Sequence, residues 1–158
     1  MRTDTRLSRM LHVLIHMDRH QQSATSDTLA QMLGTNPVVV RRTMALLKEQ
    51  GYVTSEKGHR GGWTLSKPLS DMTLLDIHQA LGSTSIFAIG LSTDHPQCLV
   101  EQAVNAALTD AFDEAQALLL QRLGAITLAQ LAEDFEARFR EIGGTGVHDL
   151  THRGPIKD

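Results

Sequence analysis

This chain lacks most of the features that fasten a protein from outside or give it an obvious reaction. It has a single cysteine among 158 residues, so no intrachain disulfide can form and nothing demands an oxidising compartment. Aromatic residues make up only 4%, which leaves the core to Leu, Val, Ile, Met and Ala within a hydrophobic content of 41%. No apolar run reaches the length of a membrane span. The opening Met1-Arg2-Thr3-Asp4 begins no signal-peptide apolar stretch, so the expectation is a cytoplasmic protein without a membrane partner. Catalytic motifs are missing too: no Walker loop, nucleophile elbow, HExxH or CxxC occurs. The reading is therefore not an enzyme.

What charge there is lies unevenly. The net charge is −3, but residues 1–66 hold nine Lys/Arg against five Asp/Glu (net +4), and residues 67–158 hold six against thirteen (net −7). A basic first half joined to an acidic second half suits a nucleic-acid reader with a separate assembly or sensing part. Chance asymmetry between two solvated surfaces is the plainer alternative.

The spacing of apolar residues predicts a mainly helical chain. Leu7, Met10, Leu11, Leu14 and Met17 make one stripe of a helix over 4–20. A short second helix has Ser26 as its N-cap, Leu29, Ala30 and Leu33 inward, and Gly34 as its stop. Asn36 caps a third helix, with Pro37 at the first helical position, where its missing N–H costs nothing. Val40, Met44 and Leu47 face its core side, flanked by Val39 or Leu46, and it ends at Gly51. A short helix, a tight turn and a longer helix form a helix-turn-helix.

A cationic hairpin follows. Residues 52–54 and 63–65 read as strands, and Gly58, Gly61 and Gly62 suit a tip that approaches a ligand closely. This order, a helix for the major groove and then a basic wing, is how a winged helix holds DNA. A fourth helix is expected over 73–81 and a long one over 97–123. The long helix carries Val100, Val104, Ala107, Ala111, Ala115, Leu118 and Arg122 along one side, and a two-fold homodimer is the simplest way to bury it. Folding back on its own domain is the alternative. Thr127 and Gln130 open a last helix with a capping box, and 143–158 reads as a disordered tail. The fold class is thus mainly α with a small β-wing. It divides into a winged helix-turn-helix over 1–82, a sensor-type loop over 83–96, dimerisation helices over 97–142, and the tail.

The chain resembles the Rrf2 (Rrf-two) family of winged-helix regulators. The matching residues are Leu47-Lys48-Glu49-Gln50-Gly51-Tyr52-Val53, then Ser55, Gly58-His59-Arg60-Gly61-Gly62-Trp63-Thr64-Leu65, Pro68 and Met72-Thr73-Leu74-Leu75-Asp76-Ile77. The resemblance covers about residues 1–140. It implies a dimer, a DNA-binding winged helix, a long crossed helix at the dimer seam and a sensing loop before that helix. In many members three close cysteines in that loop hold an iron–sulfur cluster. Here Cys98 stands alone, and one thiolate cannot supply such ligation, so no cofactor is expected.

The candidate DNA contacts follow from these elements. Arg41 and Arg42 can reach guanine edges or phosphate in the major groove, and Asn36 and Val38 can meet base edges near the helix start. Thr25, Ser26 and Lys48 read as phosphate contacts. Arg60 suits a narrow A·T-rich minor groove, with Lys57 and His59 near the backbone, while Trp63 reads as a core residue or wing anchor. A solvated helix face and a mobile hairpin tip are the plainer alternatives.

Cys98 is expected in the first turn of the long helix, where a helix N-terminus, and His95 when protonated, favour thiolate. That reading makes Cys98 a redox sensor; an inert buried thiol is the alternative. His12, His16 and His20 share the four-residue spacing of a metal pair, and His95 with Cys98 is a second pair, but an exposed polar face is the expectation and no metal site is assigned. The sequence reading is a homodimeric repressor of double-stranded DNA operators. A regulator controlled by a protein docked on the acidic half, or an adaptor that has lost DNA binding, remain as alternatives.

Overall fold

The computed structural model describes residues 4–82, 86–87 and 89–142; the expected tail and part of the expected sensor loop lie outside them. Among the described residues six α-helices, one 3-10 turn and one hairpin follow in order: α1 (Arg6–His20), α2 (Ser26–Leu33), α3 (Pro37–Glu49), β1 (Val53–Glu56), β2 (Gly62–Leu65), the 3-10 turn (Leu69–Asp71), α4 (Leu74–Ala80), α5 (Leu99–Gly124) and α6 (Leu128–Glu141).

The core lies where α1, α2, α3 and α4 meet beneath the hairpin. Val13, Leu14, Met44, Leu47, Met72 and Ile77 are fully enclosed there. Burying side chains of this size stabilises the fold by roughly 1.5–3 kcal/mol each, which holds these helices together. On α3 the buried set is Val40, Thr43, Met44 and Leu47, the spacing of one helical face. Of the two expected flanking residues, Val39 is 50% exposed and does not flank the core, and Leu46 is half-buried.

Several ends differ from the sequence reading. Thr25, not Ser26, caps α2, its side chain accepting from Thr28 N–H at 3.1 Å. Asn36 caps α3 as expected, its Oδ1 accepting from Val38 N–H at 2.8 Å. The strands pair antiparallel from Val53 opposite Leu65 to Glu56 opposite Gly62, which leaves Tyr52 just outside. Thr73 and Asp76 close a reciprocal capping box on α4.

The C-terminal helix packs against α1 and the 3-10 turn rather than standing with α5. Leu128 is fully enclosed in the core. Its N–H donates to the Met72 carbonyl at 2.8 Å, and Leu74 N–H donates to the Ile126 carbonyl at 3.0 Å. The capping box of Thr127 and Gln130 forms as expected and starts α6 at that anchor. By contrast α5, 26 residues and about 39 Å long, has no buried residue within a single chain.

Candidate nucleic-acid interface

α3 presents its second face to solvent. Asn36, Val38, Val39, Arg41, Arg42 and Lys48 are all exposed there. Neither Arg41 nor Arg42 is held by another described residue, so both guanidinium forks keep their full donor sets for a ligand. Val39 was missed as a surface residue. In the first turn of a helix whose core face begins at Val40, its neighbour falls outward, and apolar type alone misassigned it.

The wing stands beside this face, and Lys57, His59 and Arg60 at its tip are exposed. The tight tip depends on glycine at defined points. Gly58 has φ 111°, and a Cβ on Gly61 would sit 2.3 Å from the Glu56 carbonyl oxygen. Lys48 links the two elements, its Nζ donating to Ser55 Oγ of β1 at 2.7 Å. The ammonium therefore lies between the end of α3 and the wing, where a backbone phosphate could share it.

At the foot of α2, Thr25 is exposed and Ser26 is not. Ser26 Oγ accepts a hydrogen bond from the buried Trp63 indole Nε1–H at 2.9 Å. Of the ten residues singled out for DNA, Ser26 alone has its side chain committed to the interior. The anchor role read for Trp63 agrees with this placement.

Cys98 is the N-cap of α5 and not part of its first turn, one step earlier than expected. It is exposed within the single chain. The thiol is held below its ordinary pKa by the backbone N–H groups of Glu101 and Val100 at the start of α5. The segment before it is folded onto α5: His95 N–H donates to the Glu101 carboxylate at 3.1 Å, and Asn105 Nδ2 donates to the Ser92 carbonyl at 2.8 Å.

The three histidines of α1 do not form an exposed face. His16 is 7% exposed. Its ring lies 4.7 Å from that of His12, 6.1 Å from that of His20 and 6.5 Å from that of Phe135 on α6. The reason is the packing of α6 over this side of α1, which the four-residue spacing alone could not announce. Among the described residues no group of three His, Cys, Asp or Glu is gathered as a metal site. The donor set around Cys98, a single thiol, does not fit an iron–sulfur cluster. No described helix is long and apolar enough to cross a membrane.

Comparison with known proteins agrees with this architecture. The family model Rrf2, described as an iron-dependent transcriptional regulator, matches residues 3–134. The chain is 32% identical over 128 residues to YwnA of Bacillus subtilis (strain 168), named as an HTH-type transcriptional regulator, covering 79% of this chain and 92% of that one. A crystal structure titled as a transcriptional regulator from Lactobacillus plantarum superposes with a TM-score of 0.73 at 26% identity, over 89% of this chain and 95% of that chain. T. potens IscR shares the fold, with a TM-score of 0.62 at 19% identity over 87% of this chain and 90% of its own. These relatives are regulators and not enzymes, and with the helix-turn-helix, the wing and the long α5 in place, the chain belongs to the Rrf2 family of transcriptional regulators.

Proposed function

We propose that this regulator is a homodimeric repressor that reads a pseudo-palindromic operator without an iron–sulfur cluster. The carrying observation is that Arg41 and Arg42 on α3 and Lys57, His59 and Arg60 on the wing are all exposed on elements set on an enclosed core. α3 of each protomer enters a major groove, and each wing reaches a flanking minor groove. Arg41 and Arg42 supply base and phosphate contacts, Asn36 and Val38 lie at the base edges, and Thr25, Lys48, Lys57 and His59 meet the backbone.

The dimer is supported by α5. Leu99 is 78% and Val100 71% exposed in the single chain, and Val104, Leu108, Leu118 and Leu119 are exposed as well. An apolar surface of this extent on one helix is covered most simply by its two-fold copy.

A second reading, favoured by the exposed thiol at the N-cap of α5, makes Cys98 the input. Its thiolate attacks a peroxide oxygen, the O–O bond breaks, hydroxide leaves, and the sulfur becomes a sulfenic acid. The two-electron oxidation of sulfur is matched by reduction of the peroxide. Fluorescence anisotropy on the promoter fragment of the protein's own gene tests both readings. Reduced protein binds tightly, and peroxide weakens binding in the wild type while leaving Cys98→Ser unchanged. Tight binding indifferent to peroxide removes the thiol input and keeps the repressor; a protein partner docked on the acidic half then becomes the next test. Absence of binding in every state contradicts this operator assignment.

A further inference from the structure

Two serines outside the wing are bonded to it. The short segment between α1 and α2 runs beside β2 as a third edge. Ala24 N–H donates to the Trp63 carbonyl at 3.0 Å, and Trp63 N–H donates back to the Ala24 carbonyl at 2.8 Å. Two side chains extend this pairing. One pair below the tip end of the ladder, the Trp63 indole donates to Ser26 Oγ at 2.9 Å. At the tip, Ser23 Oγ donates to the backbone carbonyl of Arg60 at 3.1 Å. Between them the backbones come so near that a Cβ on Gly62 would lie 2.8 Å from the Ala24 carbonyl oxygen.

A two-stranded hairpin alone is marginal in water, and its tip samples many postures. A side chain delivered by such a tip loses that freedom when it enters a groove, and the loss is subtracted from affinity unless the fold has ordered the tip beforehand. The hydroxyl of Ser23 grips the peptide that carries Arg60, across 37 residues of sequence. It leaves the Arg60 guanidinium exposed and uncommitted.

We infer that Ser23 is a positioning residue for minor-groove reading: it fixes the wing tip, with Ser26 and Trp63 fixing the strand just below it, so that Arg60 is presented in an ordered posture before DNA arrives. This rests on the DNA-reading proposal above. The hydroxyl itself need not touch DNA. Its effect is confined to the contact that Arg60 makes, which separates it from a general contribution to folding.

The test uses duplexes that the wild-type protein enriches from a random-sequence library, once with A·T flanks and once with those flanks changed to G·C. Anisotropy is measured for the wild type, S23A, S23T, R60A and S23A/R60A. On the A·T-flanked duplex S23A weakens binding about fivefold, the scale of one exposed hydrogen bond, and on the G·C-flanked duplex it stays within about twofold. S23T, which keeps the hydroxyl, restores binding, and S23A adds nothing further to R60A. Wild-type affinity for S23A on the A·T duplex overturns the inference. So does an equal loss on both duplexes that adds in full to R60A, the mark of a merely structural role. If the wild type itself enriches no sequence, the DNA reading fails and this inference falls with it, an outcome recognisable because it appears before any variant is used.

Discussion

The guanidinium carbon of Arg19 on α1 lies 4.3 Å from the centroid of the Phe139 ring and 4.7 Å from that of Phe135, both on α6. In the same geometry Nη1 of Arg19 donates to Glu136 at 2.6 Å. One side chain of the reading domain is thus stacked and paired with the helix that follows α5. Arg19→Ala removes two ring contacts and an apolar stem at once, and is expected to lower stability by about 1–2 kcal/mol. The ion pair adds little to that figure, because Glu136 is half exposed. Urea unfolding measures the effect; Arg19→Lys, which keeps the charge and loses the planar stack, should fall between. An unchanged midpoint for Arg19→Ala would show that α6 is held by Leu128 and its neighbours alone.

Cys98 gives a prediction about pH. The backbone donors stabilise thiolate, so the folded pKa lies below the value of the unfolded chain. The reactive form therefore persists to lower pH in the folded protein and is lost only as pH falls through the folded value. Alkylation by iodoacetamide, followed against pH, should show a lower midpoint for native than for urea-unfolded protein. Coincident midpoints would remove the helix terminus as an activating element.

On α3, Arg41→Ala or Arg42→Ala is expected to cost about 1–3 kcal/mol of specific binding wherever the arginine makes a bidentate base contact. A phosphate-contacting arginine gives a different signature: loss on all sequences and a shallower salt dependence. Measuring each variant on matched and mismatched duplexes sorts the two roles. Full affinity and unchanged sequence preference for both variants would move recognition away from α3.

The exposed side of α5 makes its own prediction. Val104→Asp places a charge in the proposed dimer seam, and sedimentation equilibrium should then show a monomer where the wild type sediments as a dimer. Far-ultraviolet circular dichroism should change little, since Val104 packs against nothing enclosed within the chain. A dimer that survives the substitution would place the interface elsewhere.

Much of this fold could be read from the chain because local signals agreed. Asn36 followed by Pro37, the Thr127–Gln130 box, and Gly58 and Gly62 of the wing each specify a local geometry by themselves, and each appears where expected, whereas Gly61 has no positive φ and is required only by its close approach to the Glu56 carbonyl. Errors arose where the deciding partner was distant in sequence. Ser26 reads as a cap until the Trp63 indole is seen to claim its hydroxyl and Thr25 to cap α2 in its place. The histidines of α1 read as a polar face until α6 is laid over His16 through Phe135. The bond from Ser23 to the Arg60 carbonyl had no signal in either segment, since a serine in a polar turn and a backbone carbonyl at a loop tip are both ordinary.

The central claim is that this regulator reads DNA as a two-fold dimer through α3 and the wing. Selection from a random duplex library with the full chain tests it most directly. The account predicts an enriched, two-fold symmetric sequence with half-sites one helical turn or a multiple of it apart, and an affinity that falls steeply with added salt. A chain that enriches no sequence and shows no salt-dependent binding would contradict it.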